Sequence, residues 1–103
     1  GGPLVTVETA GVRWHGDAAP TVFASSEWAE RGFCAACGAS LFYRLKVGPA
    51  AGLTMVTYGS LDDGSGLVLD HEVYVDHRPS AYAFAGDVPG LTEAEVIARF
   101  SGA

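Results

Sequence analysis

The sequence predicts a mainly β fold of short strands and tight turns, closed by one short C-terminal helix. Three observations lead there. β-branched and aromatic residues cluster in short runs, several of which alternate apolar with polar at the strand period. The 14 Gly and 5 Pro among 103 residues fall largely between those runs, where turns require them. Apolar residues at helical spacing occur only near the C-terminus. A hydrophobic fraction of 49% against 17% charged suits a packed chain rather than a disordered one, and the length fits a single domain over 1–103.

Leu4-Val5-Thr6-Val7-Glu8 predicts the first strand, broken at Thr9-Ala10-Gly11. Val12-Arg13-Trp14-His15 alternates and predicts a second, and Thr21-Val22-Phe23-Ala24 a third that ends in Ser25-Ser26-Glu27. Ser40-Leu41-Phe42-Tyr43-Arg44-Leu45 and Leu53-Thr54-Met55-Val56-Thr57-Tyr58 predict two more, separated by the loop Gly48-Pro49-Ala50-Ala51-Gly52. Leu61-Asp62-Asp63-Gly64-Ser65-Gly66 carries turn chemistry. His71-Glu72-Val73-Tyr74-Val75-Asp76 alternates again, with Val73 and Val75 on one face. The helix begins at Thr92-Glu93-Ala94-Glu95, a capping box in which the hydroxyl of Thr92 accepts from the Glu95 amide and the Glu95 carboxylate reaches back to the Thr92 amide. Leu91 and Val96 stand at staple positions. Val96, Ile97 and Phe100 form the apolar stripe, and Ser101-Gly102 ends it.

Six basic against twelve acidic side chains give a formal charge of −6. Such a chain offers no electrostatic footprint for a phosphate backbone or anionic lipid, so neither nucleic acid nor a membrane is expected as a partner. No apolar run approaches the roughly 18 residues that span a bilayer, and no charged-then-apolar signal segment is present.

The two cysteines allow one disulfide, fewer than a secreted domain of this size usually carries. Their spacing, Cys34-Ala35-Ala36-Cys37, with Gly32 ahead and Gly38 behind, points instead to a metal or redox pair in a reducing compartment, and hence to a cytoplasmic protein. A glycine after the second cysteine suits a zinc-ribbon-like knuckle, because the backbone there takes a positive φ while amides turn toward sulfur. Cys34 and Cys37 are therefore the candidate ligands of a structural zinc, supplying two of its four donors. The bland reading makes them small buried hydrophobes. A thioredoxin-like pair would sit at a helix N-terminus, whereas a strand follows here. His15, His71 and His77 are scattered without metal-ligand spacing, Asp62-Asp63 is first of all a turn, and Ser25-Ser26 lacks a nucleophile elbow.

The ordered run Glu30-Arg31-Gly32-Phe33-Cys34-x-x-Cys37-Gly38-x-Ser40-Leu41-Phe42-Tyr43-Arg44, then Gly59-Ser60-Leu61-Asp62-Asp63, then His71-Glu72-Val73-Tyr74-Val75-Asp76, resembles the glutathione-dependent formaldehyde-activating enzyme family, which includes centromere-protein-V-like proteins. The resemblance covers nearly the whole chain. It implies an Mss4-like β-tent stapled by a structural zinc, with Cys34 and Cys37 as two of the four structural thiolates, and a zinc-dependent carbon–sulfur lyase-like activity on a small thiol adduct of the glutathione and formaldehyde type. In that family the other two structural thiolates come from a Cys-x-Cys pair, and the catalytic zinc from a Cys-x-Cys-x-x-Cys cluster, both upstream. Neither occurs here, and the opening Gly1-Gly2-Pro3 is similar to the stretch that follows the catalytic cluster. The expectation is that this chain corresponds to the C-terminal portion of such a domain and is inactive alone. Arg31 and His71 fall in the family motifs and are candidates for substrate binding, although Arg31 could equally pair with a carboxylate near the knuckle. The alternative function is a zinc-stabilised binding or structural module without catalysis. A third arrangement, with two copies pooling four cysteines at one zinc, places a homodimer among the expected assemblies.

Overall fold

The computed structural model describes residues 3–17 and 19–100; the predicted helix stop at Ser101-Gly102 and the opening Gly1-Gly2 lie outside them. The chain groups into two compact units, Gly1–Gly64 and Ser65–Ala103. In the first, β1 (Thr6–Thr9), β2 (Thr21–Phe23), β3 (Ala29–Phe33), β4 (Ser40–Leu45) and β5 (Thr54–Thr57) form one five-stranded sheet in the order β1-β5-β4-β3-β2. Every pairing in it is antiparallel. The mainly β expectation holds, and so does the single short C-terminal helix, α1 (Glu93–Phe100). Among the described residues no helix is long and apolar enough to cross a membrane.

Phe42 organises the first unit. It lies in β4 opposite Gly32 of β3, and its ring, 3% exposed, occupies the space where a Cβ on Gly32 would stand. The Trp14 ring packs 5.8 Å from it, and the Arg44 guanidinium lies 4.7 Å from its centroid. Arg44 is held by Glu30, its cross-strand partner, through an Nε to Oε1 bond of 2.8 Å. The remaining buried side chains among the described residues are Ala29, Leu45, Thr54 and Thr57. The threonine hydroxyls do not go unsatisfied: Thr54 donates to the Gly52 carbonyl at 3.1 Å and Thr57 to the Ser40 carbonyl at 2.8 Å. A buried hydroxyl without a partner would cost about 1–3 kcal/mol.

Two predicted strands differ from what forms. Val12–His15 joins no ladder; its Trp14 ring packs on Phe42 instead. In the second unit, the strand expected over His71–Asp76 shortens to β6 (Glu72–Val73), which pairs in parallel with β7 (Gly90–Leu91). Tyr74 then takes a left-handed φ of 58°, and Val75–His77 form a 3-10 turn. That turn places Asp76 to accept the Glu93 amide at 3.0 Å and His77 Nε2 2.7 Å from the Glu93 carboxylate, so the first turn of α1 is tied to residues that an unbroken strand would have carried away. Two strands were not anticipated: β7, which exists through its pairing with β6, and β3, whose Glu-Arg-Gly centre has little intrinsic β preference and is extended by its partners on both sides.

The capping box forms as read. Glu95 N–H donates to Thr92 Oγ1 at 3.2 Å, and Thr92 N–H donates to Glu95 Oε1 at 3.0 Å. The Thr92 amide, and secondarily its hydroxyl, hold the Glu95 carboxyl below its ordinary value. A depressed folded-state value means that this contribution is fully present above about pH 4.3, where an unfolded glutamate is ionised, and is lost as pH falls through the lower folded value.

Two outcomes follow. Gly32→Ala should lower stability by about 1–3 kcal/mol through overpacking against Phe42, read as a shift of the urea midpoint, and Phe42→Leu in the same chain should return part of the loss. Thr92→Ala should cost α1 about 1 kcal/mol, and Glu95→Gln should reduce the loss of helix content, followed by circular dichroism, as pH falls below about 4.

Candidate metal centre and adjoining groove

The knuckle is the hairpin loop between β3 and β4. Gly32 pairs with Phe42, but Phe33 pairs with Ser40, so Leu41 is skipped and the ladder bulges at Gly32 and Phe33. A bulge bends the ladder and re-aims the side chains that follow it. Just beyond, the Cys34 amide donates to the Ala39 carbonyl at 2.9 Å, and the Gly38 amide to the Cys34 carbonyl at 2.7 Å. Gly38 has φ +78°, the conformation expected of the residue after the second cysteine and one that side-chain-bearing residues rarely adopt.

This loop turns its amides on sulfur. The amides of Cys37 and then Ala36, followed by the Cys37 thiol, hold the Cys34 thiol below its ordinary value of 9.0, against the opposing effect of burial. Amide donors that favour a thiolate are what a thiolate ligand needs, since metals bind the deprotonated form. Both cysteines are free, Cys34 half-buried and Cys37 exposed. Two thiolates at this spacing would supply half of the donors of a tetrahedral zinc site. Among the described residues the one group of three His, Cys, Asp or Glu ligand atoms within 4.8 Å of one another is Asp76, His77 and Glu93, and none of the described residues joins Cys34 and Cys37 in such a group.

That second cluster was not legible in the sequence, because His77 and Glu93 stand 16 residues apart and Asp76 looked like part of a strand. Its atoms already have structural employment: Asp76 Oδ1 accepts the Glu93 amide, and His77 Nε2 meets the Glu93 carboxylate.

Arg31 stands in the first unit, on β3 opposite Tyr43 of β4, with its guanidinium 5.1 Å from the Tyr43 ring centroid. Glu30, the nearest acid in sequence, is committed to Arg44, and among the described residues Arg31 enters no ion pair. It lines an open groove of about 550 Å³ together with Ser40, Thr57, Tyr58 and Ser60. It also borders a smaller one of about 240 Å³ with Phe23, Phe33, Gly38 and Phe42. The sequence carried no sign of Tyr43 as a platform for Arg31; only the register pairs them. His71 belongs to the second unit, where its Nδ1 lies 2.9 Å from Asp70 Oδ2.

Alkylation of Cys34 by iodoacetamide, followed by peptide mass spectrometry across pH, should show a midpoint below that of the same cysteine in the urea-unfolded chain, and added zinc should protect both cysteines. No known protein family, curated protein or solved structure matches this chain.

Proposed function

We propose that this chain is a zinc-binding β module in which Cys34 and Cys37 supply two of the four thiolates of a structural site. We further propose that the module serves a carbon–sulfur lyase-like protein acting on a small thiol adduct of the glutathione and formaldehyde type. The observation that carries the metal reading is the knuckle itself, in which the Cys37 and Ala36 amides favour the Cys34 thiolate and Gly38 takes the left-handed turn. Bound there, zinc would supply a tetrahedral cross-link where a small core gives little stability of its own. The two free thiols also support the cytoplasmic siting.

The substrate side of the proposal rests on Arg31. It is a cation stacked on an aromatic ring, without an ion pair among the described residues, at the border of two grooves. A guanidinium so placed suits the carboxylate of a small thiol peptide, which it can grip through paired N–H donors. His71 is carried only by its motif position, and its ring meets Asp70. The two-cysteine count favours a second reading, a zinc-stabilised binding module without catalysis, since a catalytic zinc keeps three protein ligands and an open position.

The discriminating experiment assays the full-length protein with formaldehyde and glutathione and measures glutathione binding to it by calorimetry. Binding weakened about tenfold by Arg31→Ala supports the substrate reading, and turnover above background decides for the lyase. Binding without turnover decides for the module, and neither binding nor turnover removes the thiol proposal. Cys34→Ser should cost folding before chemistry; a fully folded Cys34→Ser protein that lacks activity alone would overturn the structural assignment.

A further inference from the structure

We infer that the Cys34 and Cys37 thiolates of two copies of this chain bind a single zinc ion on the two-fold axis of a homodimer. The inference rests on the reading of these cysteines as zinc ligands and goes beyond it by naming the other half of the site. A structural zinc takes four protein donors. The knuckle offers two, and among the described residues no third His, Asp or Glu joins them. A second copy supplies the missing pair with no new ligand type, and an isologous two-fold contact requires that like meet like.

The knuckle is shaped for such a meeting. It is the tip of a hairpin, and Cys37 is flanked by the exposed Ala35, Ala36, Gly38 and Ala39. No bulky side chain within the loop keeps a second knuckle from the close approach that Zn–S bonds of about 2.3 Å demand. Beside it, Phe23 is 63% exposed and shares a groove with Leu4, Phe33 and Gly38, an apolar margin for the contact.

Charge favours the same place. Two chains of net charge −6 repel, yet residues 31–61 contain Arg31, Arg44 and Lys46 and no Asp or Glu. The loop at the contact brings no carboxylate of its own, so a tetrathiolate zinc centre, of net charge about −2 once the four thiols have released their protons to solvent, meets no like charge from it.

The test uses the 103-residue chain, reduced and loaded with zinc alone. Native mass spectrometry and metal analysis should give a dimer with one zinc per two chains, and X-ray absorption should find four sulfur neighbours at about 2.3 Å. EDTA, or Cys37→Ser, should yield zinc-free monomer. If either perturbation unfolds the chain, the sulfur count on the zinc-loaded wild type still decides. A monomer with one zinc bound by two sulfurs and lighter donors overturns the dimer while leaving the knuckle as a zinc ligand. No zinc uptake overturns both. A dimer that survives EDTA while folded, or that disappears on reduction with zinc present, overturns the shared site.

Discussion

The close approach of Phe42 to Gly32 is the constraint on which the first unit depends. A glycine in the middle of a strand weakens it, unless a neighbour covers the gap. Here the cross-strand aromatic does so, its ring filling the space a side chain on Gly32 would take. The same ring receives Trp14 and the guanidinium of Arg44, which is fixed in turn by Glu30. Three segments far apart in sequence thus converge on one side chain, and few others among the described residues are as deeply buried.

The knuckle inherits its position from that contact. The bulge falls immediately after Gly32, so the packing that seats Phe42 also sets the angle at which the chain enters Cys34. Inside the loop the energetics are local: two amides aimed at one sulfur and a glycine with a left-handed φ do not need the rest of the sheet to explain them. Packing places the loop, and backbone amides favour the thiolate form of Cys34 within it. The separation has a consequence for Arg31, which shares β3 with the approach to the knuckle but is oriented by Tyr43. Arg31 precedes Cys34 by only three residues, so the sequence sets the cation beside the loop while register sets it on Tyr43.

The second unit is built on a different economy. Its two strands are of two residues each, and α1 has no buried residue, so polar contacts at the helix start replace much of what a core would do. Thr92, Glu95, Asp76 and His77 converge on the first turn, where unsatisfied amides and the positive end of the helix dipole favour negative charge. The left-handed Tyr74 is the turn that delivers Asp76 there. Val75 then lies against Gly90, another position where a glycine accommodates a neighbour's side chain.

The sequence by itself determined the features whose causes are local. The strands at Thr21–Phe23, Ser40–Leu45 and Thr54–Thr57, the capping box of α1 and the glycine turn after Cys37 could be read because propensity, hydroxyl-to-amide geometry and φ preference act within a few residues. What it could not determine depended on partners distant along the chain. β3 exists because β2 and β4 flank it, Trp14 leaves its expected ladder for Phe42, and the alternating run at His71–Asp76 breaks so that Asp76 and His77 can reach Glu93. Likewise, two thiols at metal-knuckle spacing were legible, whereas Arg31 on Tyr43, and the meeting of Asp76, His77 and Glu93, were decided by the tertiary structure. Pairwise contacts between remote residues are set by register and packing, and neither is written in any short stretch of sequence.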